Sequence, residues 1–226
     1  MKRFWTEVTI DRDRAVMLDA RPVRTPGRRA LALPTMALAE AVADEWRAVS
    51  GDIDPRAMPL TGLANAALDI VAPDPAAFAA RLAAYAASDL LCYRAATPEP
   101  LVERQRAAWD PTLDWVRTRY DVHVATTGGV MHVAQPAAML DRLGTAIGAY
   151  DEFRLAAAAP IVTLTGSLML TLALLEAAAD AEAIWSAAHV DEDWQAELWG
   201  QDDLATQTRA ARRAEYGAAT RFLALL

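Results

Sequence analysis

The chain has 226 residues, of which 54% are hydrophobic and 23% charged, and a formal net charge of −8. That composition excludes a disordered chain, and the acidic balance argues against nucleic acid as a partner. A single cysteine, Cys92, leaves no disulfide framework or cysteine-cluster metal site and fits a reducing compartment.

The charge is unevenly spread. Residues 1–35 hold eight basic and four acidic side chains, a local +4 that leaves −12 for the remainder. Such asymmetry predicts an N-terminal module distinct from an acidic body. The opening Met1-Lys2-Arg3-Phe4-Trp5 does not lead into the apolar run of a signal peptide. Residues 4–10 are aromatic and β-branched, residues 14–19 repeat a short strand pattern, and Asp11-Arg12-Asp13 is a charged turn between them. Pro22, Pro26 and Gly27 punctuate the next segment, before Ala30-Leu31-Ala32-Leu33. Thr35 then stands as the N-cap of a helix over 36–49, which Gly51 ends.

Past Pro55 the pattern turns helical. It predicts helices over 59–71, 75–88, 98–120, 136–153, 160–179, 181–199 and 202–225, most of them opened by proline, which suits a first turn. Val122-His123-Val124 and Val130-Met131-His132-Val133 flank Thr126-Thr127-Gly128-Gly129 and read as a β-hairpin over about 121–134. The fold class is therefore α+β, with a small α+β domain over 1–52 and a mainly helical domain over 53–226 that carries the hairpin. Between Arg154 and Glu176 lie 21 residues without a charge, long enough to cross a bilayer. Pro160 and the hydroxyls of Thr163, Thr165, Ser167 and Thr171 favour a buried core helix over membrane insertion.

No glycine-rich phosphate loop, G-x-S-x-G elbow, H-E-x-x-H or C-x-x-C is present. His123 and His132 could face each other across the hairpin as half of a metal site, but no third ligand is near in sequence, so neither metal nor cofactor is expected. Cys92 has no neighbouring base and reads as a small buried thiol. The densest feature is 185–203. At about 100° per residue, one continuous helix would put Trp185, Glu192 and Trp199 on one side and Val190, Trp194 and Leu198 on the other. Glu192 then either pairs with Arg209, Arg212 or Arg213 in a core helix or lies on a protein-binding face. A carboxylate-based hydrolase using Asp191, Glu192 and Glu197 is the alternative that this cluster leaves open.

An ordered set of short motifs runs through the chain. It comprises Phe4-Trp5, Leu18-Asp19-Ala20-Arg21-Pro22-Val23-Arg24-Thr25-Pro26, Leu33-Pro34-Thr35, Glu45-Trp46, Ile53-Asp54-Pro55 and Met58-Pro59-Leu60-Thr61. Asp89-Leu90-Leu91-Cys92-Tyr93-Arg94, Gln105, Trp109-Asp110-Pro111, Trp115 and the acidic segment from Trp194 to Asp202 complete it. From residue 4 to about 205 this order resembles the assembly chaperone family that serves the alpha subunit of the F-type ATP synthase. One departure is Leu204-Ala205, where the family tends to carry Glu-Ala. The resemblance implies a non-enzymatic binding protein that keeps the free alpha subunit from aggregating until the beta subunit replaces it. An unassembled subunit exposes apolar interface, which an acidic holder could mask. The expected partner-binding residues are Glu192, Gln195, Glu197, Trp199 and Asp202. The expected setting is a bacterial cytoplasm, the mitochondrial matrix being that of eukaryotic relatives.

Overall fold

The computed structural model describes residues 2–200 and 202–226, and the fold is α+β, short strands first and helices through most of the rest. The chain divides into two compact units. One holds residues up to 75 together with 151–157 and 214–226; the other holds 76–150 and 158–213. The first thus contains the strand-rich segment and continues past residue 52.

In the first unit, β1 (Val8–Ile10), β2 (Val16–Leu18) and β3 (Arg21–Pro22) form an antiparallel sheet in that order, with Thr9 opposite Met17 and Met17 opposite Pro22. The Asp11 carboxylate shapes the β1–β2 turn by accepting from the N–H groups of Asp13 and Ala15, each at 2.9 Å. Alternation buries Val8, Val16 and Leu18. Helix α1 (Met36–Ala48) packs against β1 and β2 and buries Leu38, Val42 and Trp46. Thr35 caps it as expected, accepting from the Leu38 N–H at 3.1 Å.

Helix α2 (Pro59–Ala66) opens on a proline, and its next two N–H groups, of Leu60 and Thr61, donate to the Glu45 carboxylate at 2.8 and 2.7 Å. One carboxylate on α1 therefore satisfies donors that the start of α2 cannot pair internally. A π-helical turn, Ala67–Val71, follows and supplies Asp69. The Thr25 hydroxyl and the Gly27 N–H both donate to Asp69 at 2.7 Å, pinning the turn over 24–29. A Cβ on Gly27 would lie 2.5 Å from Asp69 Oδ1, so the close approach requires glycine. Late in the chain, Tyr216, Ala219 and Phe222 are also buried in this unit.

The second unit begins with α3 (Pro75–Ala83), which tightens into a 3-10 turn, Ala84–Ser88. Asp89 follows, wholly buried, accepting from the N–H groups of Leu91 at 3.1 Å and Met169 at 3.0 Å. Cys92 is buried as expected, and burial pushes its thiol up to about 12, so it is an inert thiol. After β4 (Tyr93–Arg94) comes the 22-residue α4 (Glu99–Tyr120), which buries Gln105, Trp109, Leu113 and Val116. Gln105 accepts from the Ala95 N–H and donates to Asp191 Oδ1, both at 2.7 Å. Trp109 donates its indole N–H to the Ala187 carbonyl at 2.7 Å, and the Arg94 guanidinium lies 5.3 Å from its ring centroid while pairing with Asp110. The motifs around Asp89, Gln105 and Trp109 are thus internal joints of this unit.

Two expectations fail here. There is no hairpin over 121–134. Instead β5 (Thr127–Gly128) pairs in parallel with β4, Tyr93 opposite Thr127. The amide of Gln135 takes both the N–H and the carbonyl of Ala125, at 3.1 and 2.8 Å, in place of a backbone ladder. Val130 and Met131 are left 93% and 77% exposed, and His132 meets the Tyr93 hydroxyl at 3.2 Å in place of His123. Nor is 155–175 a single helix. After α5 (Ala137–Gly148), α6 (Glu152–Thr165) carries Pro160 inside it and stops where Gly166 adopts φ +65°. Ser167 then caps α7 (Leu168–Leu175), its hydroxyl accepting from the Leu170 N–H at 3.0 Å. Leu168 to Ala173 are all buried, and among the described residues no helix is long and apolar enough to cross a membrane. Helices α8 (Ala181–Ala188), α9 (Val190–Trp199) and α10 (Asp203–Ala224) complete the chain.

Candidate partner-binding site

The expected site residues lie on α9, with Asp202 just before α10, within the second unit. The continuous helix over 181–199 does not form, because it breaks at His189, with φ −116° and ψ 15°. His189 is 1% exposed and stacks on Trp185 with centroids 3.8 Å apart. Its Nδ1–H donates to the Trp185 carbonyl at 2.8 Å, the oxygen that a continuing helix would have claimed. Nε2 is then the unprotonated nitrogen, 4.0 Å from Glu192, and burial holds the imidazole below its ordinary pKa. The break changes the helical arithmetic. Trp185 is buried at 5% exposure while Trp199 is 78% exposed, so the two tryptophans do not share a face.

No side chain of α9 is buried. The helix is gripped by charge from both sides. Arg104 of α4 pairs with Glu197 at 2.7 Å and lies 4.9 Å from the Trp194 ring centroid. From α10, Arg212 pairs with Glu192 at 2.9 Å and Arg209 with Asp193 at 2.5 Å. Asp191, Glu192 and Asp193 sit in the first turn, where the helix dipole favours negative charge. The bond from Arg104 holds the Glu197 carboxyl below its usual range. Gly200, at φ +77°, ends α9 in a conformation that suits glycine, and Asp202 caps α10 by accepting from the Ala205 N–H at 2.7 Å.

Between α9 and α10 lies an open cleft of about 510 Å³. Glu192, Gln195, Trp199 and Asp202 line it together with Leu204, Arg209 and Arg212. Four of the five expected residues therefore converge. Glu197 does not join them; it borders a second groove of about 600 Å³ between α4, α8 and α9, alongside Arg104, Pro111 and Ile184. Sequence reading missed Leu204, 73% exposed, and the arginine grip from Arg104. The arginines clustered at 209, 212 and 213 after the acidic segment were the signal for Arg209 and Arg212; nothing local marked Arg104 as their counterpart.

The geometry gives the hydrolase alternative nothing to use. Asp191, Glu192 and Glu197 are bound to Gln105, Arg212 and Arg104 respectively and do not converge as an acid and a base. Among the described residues no group of three His, Cys, Asp or Glu side chains is arranged to hold a metal ion.

The family model described as "ATP12 chaperone protein" matches residues 2–117. A D202K mutant of Atp12p from Paracoccus denitrificans is 44% identical, superposes with a TM-score of 0.93, and is aligned over 99% of this chain and 97% of its own. The crystal structure of Atp12 from Paracoccus denitrificans is also 44% identical over the same shares, with a TM-score of 0.92. The Atu1473 protein of Agrobacterium tumefaciens is 39% identical, covers 98% of this chain and 85% of its own, and has a TM-score of 0.91. With this likeness running through both compact units, the chain belongs to the ATP12 chaperone protein family.

Proposed function

We propose that this chaperone acts in F-type ATP synthase assembly by holding the free alpha subunit, without catalytic turnover, until the beta subunit takes its place. The observation that carries the reading is Trp199. A tryptophan 78% exposed, with Leu198 and Leu204 exposed at 53% and 73% nearby, is an apolar surface without an internal use. Tryptophan in that setting is a typical interface anchor. Glu192, Gln195 and Asp202 form the polar part of the same cleft, and Glu197 is the edge that a broader footprint on α9 covers. The bacterial sources of the similar structures support a bacterial cytoplasm as the setting.

Capture of purified alpha subunit by full-length wild type and by Trp199→Ala tests this. Exposed substitutions change stability by about 0.5 kcal/mol or less, so the variant should melt with the wild type. A hot-spot tryptophan is worth ~2 kcal/mol or more of binding, so capture should weaken by about thirtyfold or more. Unchanged capture by a folded variant would remove this face from the interface.

A further inference from the structure

We propose that one end of the N-terminal sheet is a second docking surface, read by Arg12, Arg24 and Arg28, for an acidic segment of the client protein. This rests on the chaperone reading and adds an electrostatic contact to the apolar one. The antiparallel register brings these residues to the same end of the sheet. With Met17 opposite Pro22 and Leu18 opposite Arg21, the chain after β3 runs toward the start of β2 and the Asp11–Arg14 turn. All three arginines are exposed, and among the described residues none has a carboxylate within ion-pairing distance.

The turn that displays Arg24 and Arg28 is held on every side. Thr25 and Arg29 are joined through backbone and hydroxyl, at 2.9 and 3.1 Å. Asp69 clamps Thr25 and Gly27, and Arg29 donates to the Leu68 carbonyl at 2.6 Å. Arg24 itself donates to the Arg28 carbonyl at 2.9 Å. Within this frame Arg28 is fixed at φ +66°, a left-handed conformation that any residue with a Cβ resists. Glycine would serve the backbone better there. What arginine adds is a charged fork on a rigid mount, a combination that suits carboxylates.

The nearby acids are Asp11, Asp13 and Asp69. Asp11 and Asp69 are engaged in their own turns, and only Asp13 is both exposed and free of such a role in holding the fold. The occupant follows from charge. Residues 1–35 carry +4 and the rest of the chain −12. Three guanidinium groups suit a few acidic residues of a protein, whereas a nucleic acid asks for a longer basic track.

The test measures binding of full-length protein to immobilised alpha subunit, with Arg28→Gly, the double variant Arg24→Gln/Arg28→Gly, and Trp199→Ala as reference. Arg28→Gly should melt no lower than the wild type, because it removes charge and relieves the backbone together. It should bind about fivefold more weakly at ~50 mM salt, the double variant more weakly still, and the difference should close by ~500 mM. Arginine variants that bind like wild type at low salt, while Trp199→Ala binds poorly, overturn this surface and leave the chaperone reading standing. A wild type that does not bind alpha subunit at all overturns the client reading itself. Wild-type binding of a short single-stranded DNA oligonucleotide, lost in the double variant, would assign the surface to nucleic acid and overturn the acidic-peptide assignment.

Discussion

Replacing Asp89 with asparagine should change how stability depends on pH. Burial is the dominant influence on this carboxyl and raises its pKa from 3.8 to about 6, against the pull of the Met169 N–H, the Ser167 hydroxyl and the Leu91 N–H. A folded pKa above the unfolded one means that the native state keeps its proton where the unfolded chain has already released it. The contribution is therefore fully present below about pH 4 and is lost as pH rises through about 6. Two pKa units at roughly 1.4 kcal/mol each make this about 3 kcal/mol. Asparagine does not titrate, so the fixed effect of the exchange cancels when the two proteins are compared across pH. Urea unfolding of both, from about pH 4 to about 7.5, should show the wild type losing ~3 kcal/mol relative to Asp89→Asn. A flat difference would refute the argument. A difference growing in favour of the wild type would mean that the converging N–H groups outweigh burial and the native carboxyl is charged.

His189 titrates in the opposite sense. Burial sets its folded pKa below 6.5, so the unfolded chain takes up the proton first and stability should fall as pH drops through that value. Melting scans at about pH 7.5 and 5.5 should show a larger drop for the wild type than for His189→Asn, and equal drops would contradict the assignment. Glu45→Ala removes the acceptor for the Leu60 and Thr61 N–H groups and the Thr61 hydroxyl, and should lower stability by ~1–2 kcal/mol, with Glu45→Gln keeping part of it. A urea midpoint unchanged in the alanine variant would show that solvent replaces this cap without loss.

Helices with strong local signals were readable from residues alone. Thr35 before α1, Pro59 at the start of α2 and the periodic run of α4 each carry their cause within a few positions. The failures share a different cause. The supposed hairpin was judged by its own strands and turn, yet its chain pairs with Tyr93 and Arg94, more than thirty positions earlier. The break at His189 depends on a stack and a carbonyl bond that no propensity expresses, and it reversed the placement of Trp185 relative to Trp199. At the site, the acidic tryptophan segment was legible by composition. The pairing of Glu192 with arginines of α10 was legible too, whereas the grip of Arg104 on Glu197 was not, because that partner lies 93 positions earlier on α4. Asp89 gave no warning either, since a lone acid before two leucines becomes a buried joint only once Met169 arrives beside it.

The stop at Gly166 also sets a length. Without the stop, the run from Leu155 to Leu175 would be 21 residues free of charge, long enough to cross a bilayer as one helix. Once folded, it exists as two rods of 14 and 8 residues, α6 and α7. At 1.5 Å per residue these reach about 21 and 12 Å, each well short of a ~30 Å hydrocarbon layer. The hydroxyls of Thr165 and Ser167 close the corner between the rods. Folding at that corner turns an uncharged stretch of bilayer-spanning length into two rods too short to span one.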